Sequence, residues 1–354
     1  MSVAVRQVSS GDKDELLEVL ERNLGTSQLA RFEWRHRDNP AGNAWSWFVY
    51  DRSSASTVGM ASVFPRRMRL RGEIILAGQV GDFVIDATHR SLGPAVLLQR
   101  ATFQPVDSGQ IAFCYDCPPH DRGMSTFVRL NMRPNCDVVR HVFLLRSDDY
   151  FERKLGRRLW TTPIASAANL VLRMRRPQCR NPELEISDFH GRFGEEFSEL
   201  DAQIPSTDTV RGSRSAADLN WRYRDDPLMT RDNGSSGYRV LVARRAGEMV
   251  ALLVFCVQDG GVVSIVDLFG RDLPQTGPPL LAAVVEIARR ENMRAVHCYS
   301  SRTVPLASLF ADLGFRPRER AMRVVAYAKA GEAAAEALTS PALKWDFAQV
   351  ETLV

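Results

Sequence analysis

Phe83-Val84-Ile85-Asp86-Ala87-Thr88-His89-Arg90-Ser91-Leu92-Gly93-Pro94-Ala95 is the stretch on which the reading of this chain turns. Its first three residues are aromatic or β-branched, as a strand centre favours. From Pro94 to Phe103 an apolar stripe recurs at helical spacing. The polar residues between them, with Gly93, have the composition of a turn. A strand, a glycine turn and a helix in this order suit a pyrophosphate. Amides of a first helical turn lack an intrahelical acceptor, point outward and lie at the positive end of the helix dipole. Gly93 lets the backbone approach a ligand closely. Arg90 can add charge-assisted bonds to phosphate, and Pro94 fits the first helical position.

Further out, the chain repeats itself. Trp34-Arg35-His36-Arg37-Asp38-Asn39-Pro40 returns as Trp221-Arg222-Tyr223-Arg224-Asp225-Asp226-Pro227, identical at five of seven positions. The spacing is far too long for a solenoid and points to duplicated domains. Strand-like runs follow each copy, Trp45 to Tyr50 and Tyr238 to Ala243. Each leads through a turn containing Gly59 or Gly247 to a second strand, Met60 to Phe64 or Val250 to Val257. Ile111-Ala112-Phe113-Cys114-Tyr115 is echoed by Ala295-Val296-His297-Cys298-Tyr299, and Phe127 to Pro134 by Phe310 to Pro317. Each half therefore opens on a helix, Lys13 to Asn23 or Gly194 to Gln203, and carries a long helix later, Pro94 to Phe103 or Leu280 to Glu291. The expected division is 1–150, a linker at 151–182, and 183–354, with the Ala-rich stretch Ala328 to Ala337 as a terminal helix.

A chain of 354 residues can bury a core in each of two such units. Lys and Arg number 46 against 42 Asp and Glu, so bulk charge implies neither nucleic acid nor membrane. The longest apolar run, Val250 to Val257, is too short to cross a bilayer. No signal-peptide pattern opens the chain, and six unevenly spaced cysteines do not form a secreted disulfide framework. A cytoplasmic protein with free thiols is expected. The basic run Arg173, Arg175, Arg176 and Arg180 reads as solvated linker.

Arg90-x-x-Gly93-x-Ala95, placed between strand and helix, resembles the acyl-CoA loop of the GNAT acyltransferases, Gln/Arg-x-x-Gly-x-Gly/Ala. Phe310-Ala311-Asp312-Leu313-Gly314-Phe315 is similar to that family's fourth-helix signature. The Trp-Arg-x-Arg-Asp-x-Pro segment with its hairpin resembles the front of a bacterial GNAT-like subgroup associated with cell-surface polysaccharide clusters. The resemblance covers nearly the whole chain as two copies. It implies an α/β fold of two tandem domains, each a twisted mixed sheet flanked by helices. It also implies a wedge between splayed central strands that holds acetyl-CoA or another acyl-CoA. Phe83, Val84 and Ile85 would border the cofactor; Arg90, Ser91, Leu92, Gly93, Pro94 and Ala95 would bind its pyrophosphate. The implied reaction is direct attack of a small amine, such as an amino sugar, on the thioester. Two alternatives stay open: transfer from a carrier-protein or aminoacyl-tRNA donor, and a non-catalytic scaffold.

The second half departs from the pattern. Its equivalent stretch, Phe269 to Pro279, puts Pro274 where Arg90 stands and adds Pro278 and Pro279, which lack amide donors. In the first half, the tyrosine that many GNATs place on the fourth helix is replaced by Phe127. Asp82 is the expected base, since an acid in an apolar strand needs a reason to be there; an ion pair is the structural alternative. Tyr115, Asp116 and His120 follow the strand on the other side of the wedge and are further candidates to meet substrate or leaving thiol. Cys114-x-x-Cys117-x-x-His120, with Cys136, has zinc-like spacing. Yet Cys298, the counterpart of Cys114, has no metal-like partners in its half, and no metal is expected. Trp34 and Trp221 recur in both halves and read as architectural.

Overall fold

The alternating apolar runs of the sequence become strands of one large mixed sheet in the computed structural model, which describes residues 3–25, 28–118, 121–147, 169–170, 172, 179, 181–204, 207–230, 237–301 and 306–346. Before the expected linker lie β1 (Val3–Gln7), β2 (Trp45–Asp51), β3 (Ser56–Leu70), β4 (Glu73–Ile85), β5 (Cys114–Asp116) and β6 (Cys136–Leu144). After it lie β7 (Glu185–Phe189), β8 (Thr209–Gly212), β9 (Tyr238–Arg245), β10 (Glu248–Gln258), β11 (Val262–Gly270), β12 (Ala295–Ser301), β13 (Arg316–Tyr327) and β14 (Lys344–Asp346). The main path runs β1-β2-β3-β4-β5-β13-β6-β12-β11-β10-β9-β7. β4–β5 and β11–β12 are parallel pairs, and β13–β6 at the centre is antiparallel.

This order carries an exchange. β6, the last strand of the first half, pairs with β12 of the second; β13, the last long strand of the second half, pairs with β5 of the first. The sheet thus reads nearly the same from either end. The repeated motif sits on this internal symmetry. The indoles of Trp34 and Trp221 stack at 5.0 Å. Each Nε1 donates to the other's backbone carbonyl, at 2.8 and 2.9 Å.

Helices cover both faces. α1 (Lys13–Leu24) and α2 (Leu29–Phe32) precede β2. α3 (Leu92–Ala101), α4 (Gln104–Asp107) and α5 (Asp121–Arg129) flank β5. In the second half lie α6 (Glu195–Gln203), α7 (Ala216–Tyr223), α8 (Leu273–Arg290), α9 (Leu306–Asp312) and α10 (Ala333–Thr339). α3 and α5 close one core over β2–β4, built on Trp47, Val63, Val80, Leu98 and Phe127. α8 closes the matching core over β10–β12, with Leu253, Val263, Leu281 and Val284. Among the described residues no helix is long and apolar enough to cross a membrane, and no His, Cys, Asp and Glu group could hold a metal ion. The basic run of Arg173, Arg175, Arg176 and Arg180 lies outside the described residues.

Three local expectations need correction. Gly59 is in β3 and not in a turn; a Cβ there would collide with Val84 O and come within 3.0 Å of Ile85 Cα, so glycine serves close strand packing. Gly247, by contrast, does turn the chain, at φ 86°. Pro94 is the third helical residue because α3 starts at Leu92; the first turn still tolerates it, since that amide has no intrahelical acceptor. The second long helix starts at Leu273, so Pro274, Pro278 and Pro279 stand within it instead of ahead of it.

Candidate functional site

β4 and β5 pair only at Gly78 with Cys114 and Gln79 with Tyr115. Beyond Gln79, β4 continues to Ile85 with β3 alone beside it. The edge that faced β5 is thereby released, and a wedge opens between the two strands. At the same place the β3–β4 register shifts, between Met60 and Ser62, and Asp82 adopts φ 48°, rare for a non-glycine residue. Bulges of this kind re-aim backbone groups and are common beside binding sites.

The loop that follows is fixed from below. The Asp86 carboxylate accepts from Arg22 Nε at 3.0 Å and Asn23 Nδ2 at 2.8 Å, which ties it to α1. Arg90 is exposed, and its Nε donates to Ile85 O at 2.9 Å. Ser91 is the N-cap of α3 in extended conformation and makes no side-chain cap bond. Ser91, Leu92 and Gly93 are exposed, while Pro94 is buried. A Cβ on Gly93 would meet nothing within 4 Å. The first turn of α3 therefore presents uncapped backbone to open space.

The corresponding helix of the second half is filled from its second turn. Asp272 is the N-cap of α8 at φ 49° and, like Ser91, makes no side-chain cap bond; Thr276 Oγ1 donates back to Arg271 O at 2.9 Å and Asp272 O at 3.1 Å. A Cβ on Gly277 would fall 2.9 Å from Leu309 Cδ2 of α9. Asp272, Pro274 and Gln275 are exposed like the first turn of α3, but Pro274 has no amide to offer, and from Thr276 onward the helix is buried. β11 and β12 also part after three paired residues. Between them lies a small cavity of about 20 Å³, lined in part by Asp267, Cys298 and Tyr299.

Asp82 is buried in a cluster of cations. Its Oδ1 accepts from Arg31 Nη2 and Arg35 Nη1, both at 3.0 Å, and its Oδ2 lies 3.1 Å from His36 Nε2. Burial pushes its pKa up, but Arg35, the His36 bond and Arg31 outweigh burial and hold the carboxyl well below its usual range. Such a carboxylate has low proton affinity, which suits a clamp better than a base. The second half repeats the arrangement. Asp267 accepts from Arg214 Nη2 at 3.0 Å and from Tyr223 Oη at 3.1 Å. Tyr223 occupies the motif position of His36.

Asp116 behaves differently. It ends β5 where that strand leaves β4, and by strand alternation it shares the face of Cys114, which packs toward α3 and α5. It is half-buried, and burial pushes its carboxyl up to about 7. Among the described residues it has no ion-pair partner. Tyr115 points to the opposite face and is buried in a core with Phe113, Val138 and Trp345. His120 lies outside the described residues. The structure thus gathers Phe83, Val84, Ile85, the loop and Asp116 around one wedge and leaves Tyr115 out of it. The cluster of Arg31, Arg35 and His36 was not selected from the sequence as a partner of Asp82. The signal was there, in a repeated motif whose third position is a hydrogen-bonding ring in both copies.

No protein-family model and no curated protein sequence matches the chain. Solved structures do. A conserved protein from Enterococcus faecalis, named a probable N-acyltransferase, superposes with a TM-score of 0.63 at 10% identity, over 93% of this chain and 73% of that one. A GCN5-related N-acetyltransferase from Anabaena variabilis gives 0.61 at 14% identity, over 92% and 72%. Saccharomyces cerevisiae N-myristoyltransferase with bound myristoyl-CoA gives 0.57 at 12% identity, over 99% and 83%. The chain is similar to each of these in fold.

Proposed function

We propose that this chain, which has the fold of GCN5-related N-acetyltransferases, is an acyl-CoA-dependent N-acyltransferase acting on a small amine. The observation that carries the reading is the open first turn of α3, set at the end of β4 where β5 departs. The pyrophosphate would meet the Leu92 and Gly93 amides with Arg90 beside them, and the pantetheine arm would lie along the released edge of Phe83 to Ile85. The donor is acetyl-CoA or another acyl-CoA, and acetyl-CoA is the first to test. The chain is read as two copies of one unit, 1–150 and 183–354, joined by 151–182. The second copy completes the sheet and does not hold the cofactor.

Asp116 replaces Asp82 as the proton acceptor in this reading. The amine nitrogen attacks the thioester carbonyl carbon, the amide bond forms and the carbon–sulfur bond breaks. The proton lost by nitrogen goes to Asp116, and the leaving thiolate takes a proton from water. A carboxyl near 7 is matched to such a task. Asp82 is a positioning residue that fixes the bulge beside Phe83.

The test is release of free CoA from acetyl-CoA in the presence of a panel of amino sugars and other small primary amines. A base must be unprotonated to act, so kcat/KM is expected to rise with pH and level off above about 7. Asp116→Asn should lower it about a hundredfold and remove the limb near 7, leaving the limb set by ionisation of the amine itself. A limb near 7 that survives in Asp116→Asn would assign the base elsewhere. Acetyl-CoA binding without turnover on any amine would favour a scaffold.

A further inference from the structure

The cluster around Asp82 contains more positive charge than it neutralises. One carboxylate serves the guanidiniums of both Arg31 and Arg35, and its second oxygen faces His36. Arg35 is 3% exposed, and its Nη2 is buried with no hydrogen-bond partner among the described residues. Buried donors of this kind are rare and call for a cause. The other nearby acid, Asp226, does not fill the gap. Its oxygens accept from the Leu228 amide at 2.9 Å and Tyr238 Oη at 3.2 Å, and burial raises its carboxyl.

The same place has an apolar rim. Arg31 belongs to α2, and Asp226 caps the short 3-10 turn Pro227–Met229, against which α2 packs. Leu29 on α2 is 46% exposed and Leu228 on the turn is 64% exposed. Arg31 is 17% exposed and offers a polar route inward. Exposed leucines on the two elements that carry Arg31 and Asp226 suit a group that is apolar and anionic at once.

We propose that the junction of α2 with the Pro227–Met229 turn is a subsite for a carboxylate borne on an apolar group, and that it holds the acceptor. The second clause rests on the acyltransferase reading. A carboxylate is favoured over a phosphate because the planar guanidinium fork of Arg35, with Nη2 unpartnered, matches a planar anion. Asp82 belongs both to this cluster and to the β4 bulge, so the subsite abuts the strand that borders the wedge. The acceptor class is then a small amine that also carries a carboxylate and an apolar side group.

The experiment is calorimetric titration of the full chain with isovalerate at constant ionic strength, with isovaleramide, inorganic phosphate and chloride as comparisons. Saturable binding of isovalerate alone is expected, weakened about tenfold or more in Arg31→Gln and Arg35→Lys, as loss of a charge-assisted hydrogen bond implies. If Arg35→Lys fails to fold, Arg31→Gln decides. Equal binding of isovaleramide, tighter binding of phosphate, no binding, or affinity unchanged in the variants would overturn the proposal. Acetyl-CoA is titrated in parallel. Isovalerate binding without acetyl-CoA binding would remove the acyltransferase reading and with it the acceptor role. Acetyl-CoA binding without isovalerate binding would remove only the subsite.

Discussion

Two strand-to-helix turns occupy equivalent places in this molecule and have opposite surroundings. Ile85 to Ala95 ends in a helix whose first turn is uncapped, exposed and free of neighbours above Gly93. Gly270 to Pro279 ends in a helix whose first turns contain prolines, a back-bonded threonine and a glycine pressed against α9. The first is open around Gly93, and the second is packed from Thr276 onward. Below the turns the two halves agree: Asp82 with His36 and arginines, Asp267 with Tyr223 and Arg214. The ion-paired acid kept in both halves serves the architecture. A feature found in one half is where the chemistry should be sought.

The strongest way to break this comparison is to separate the halves. β6 and β13 each lie in the other half's sheet. Residues 1–150 alone would lack the strand between β5 and β6, and an open edge of that kind exposes unpaired backbone. Neither 1–150 nor 183–354 should give a cooperative thermal transition by circular dichroism, whereas co-expression should restore one. Two independently folded halves would show that the exchange is not needed.

The buried acids should come next. Removing one charge from a buried ion pair leaves its partner uncompensated, at a cost of about 3–5 kcal/mol. Asp82→Asn and Asp267→Asn should each lose stability of that order in urea titrations, by similar amounts. Asp82→Asn that remains folded should still bind acetyl-CoA. A loss of turnover in Asp82→Asn with stability intact would return the base role to Asp82.

The glycines give the smallest and most local contrast. Gly277→Ala must push Leu309 aside, and overpacking costs about 1–3 kcal/mol. Gly93→Ala enters open space and should change stability by less than about 0.5 kcal/mol. Equal losses at both positions would remove the distinction between an open and a filled turn.

Much of this was legible in the sequence. The paired strands, the repeat and the Arg90 to Ala95 turn follow from periodicity, from identity at a fixed spacing and from glycine placement, all local properties. Asp82 reads from the sequence as an acid that needs a reason, and its ion-pair partners Arg31 and Arg35 lie about fifty residues earlier in the chain, beyond the reach of local pattern. The repeat points to two packed copies of one unit, and it could not show that β6 and β13 change places, because strand partners depend on long-range topology. Asp116 stood beside Tyr115 as an equal candidate. Their difference, one facing α3 and one buried on the other side, arises from the pleat once β5 is placed.

The central claim is that one turn, and one only, holds an acyl-CoA. Calorimetric titration of acetyl-CoA into the full chain tests it most directly, with Gly93→Glu as the paired variant. Glutamate would set an anion where the pyrophosphate is to bind. One site per chain is expected, weakened tenfold or more in the variant, roughly 1.4 kcal/mol. Two equivalent sites would contradict the asymmetry of the turns, and undiminished binding by Gly93→Glu would contradict the site itself.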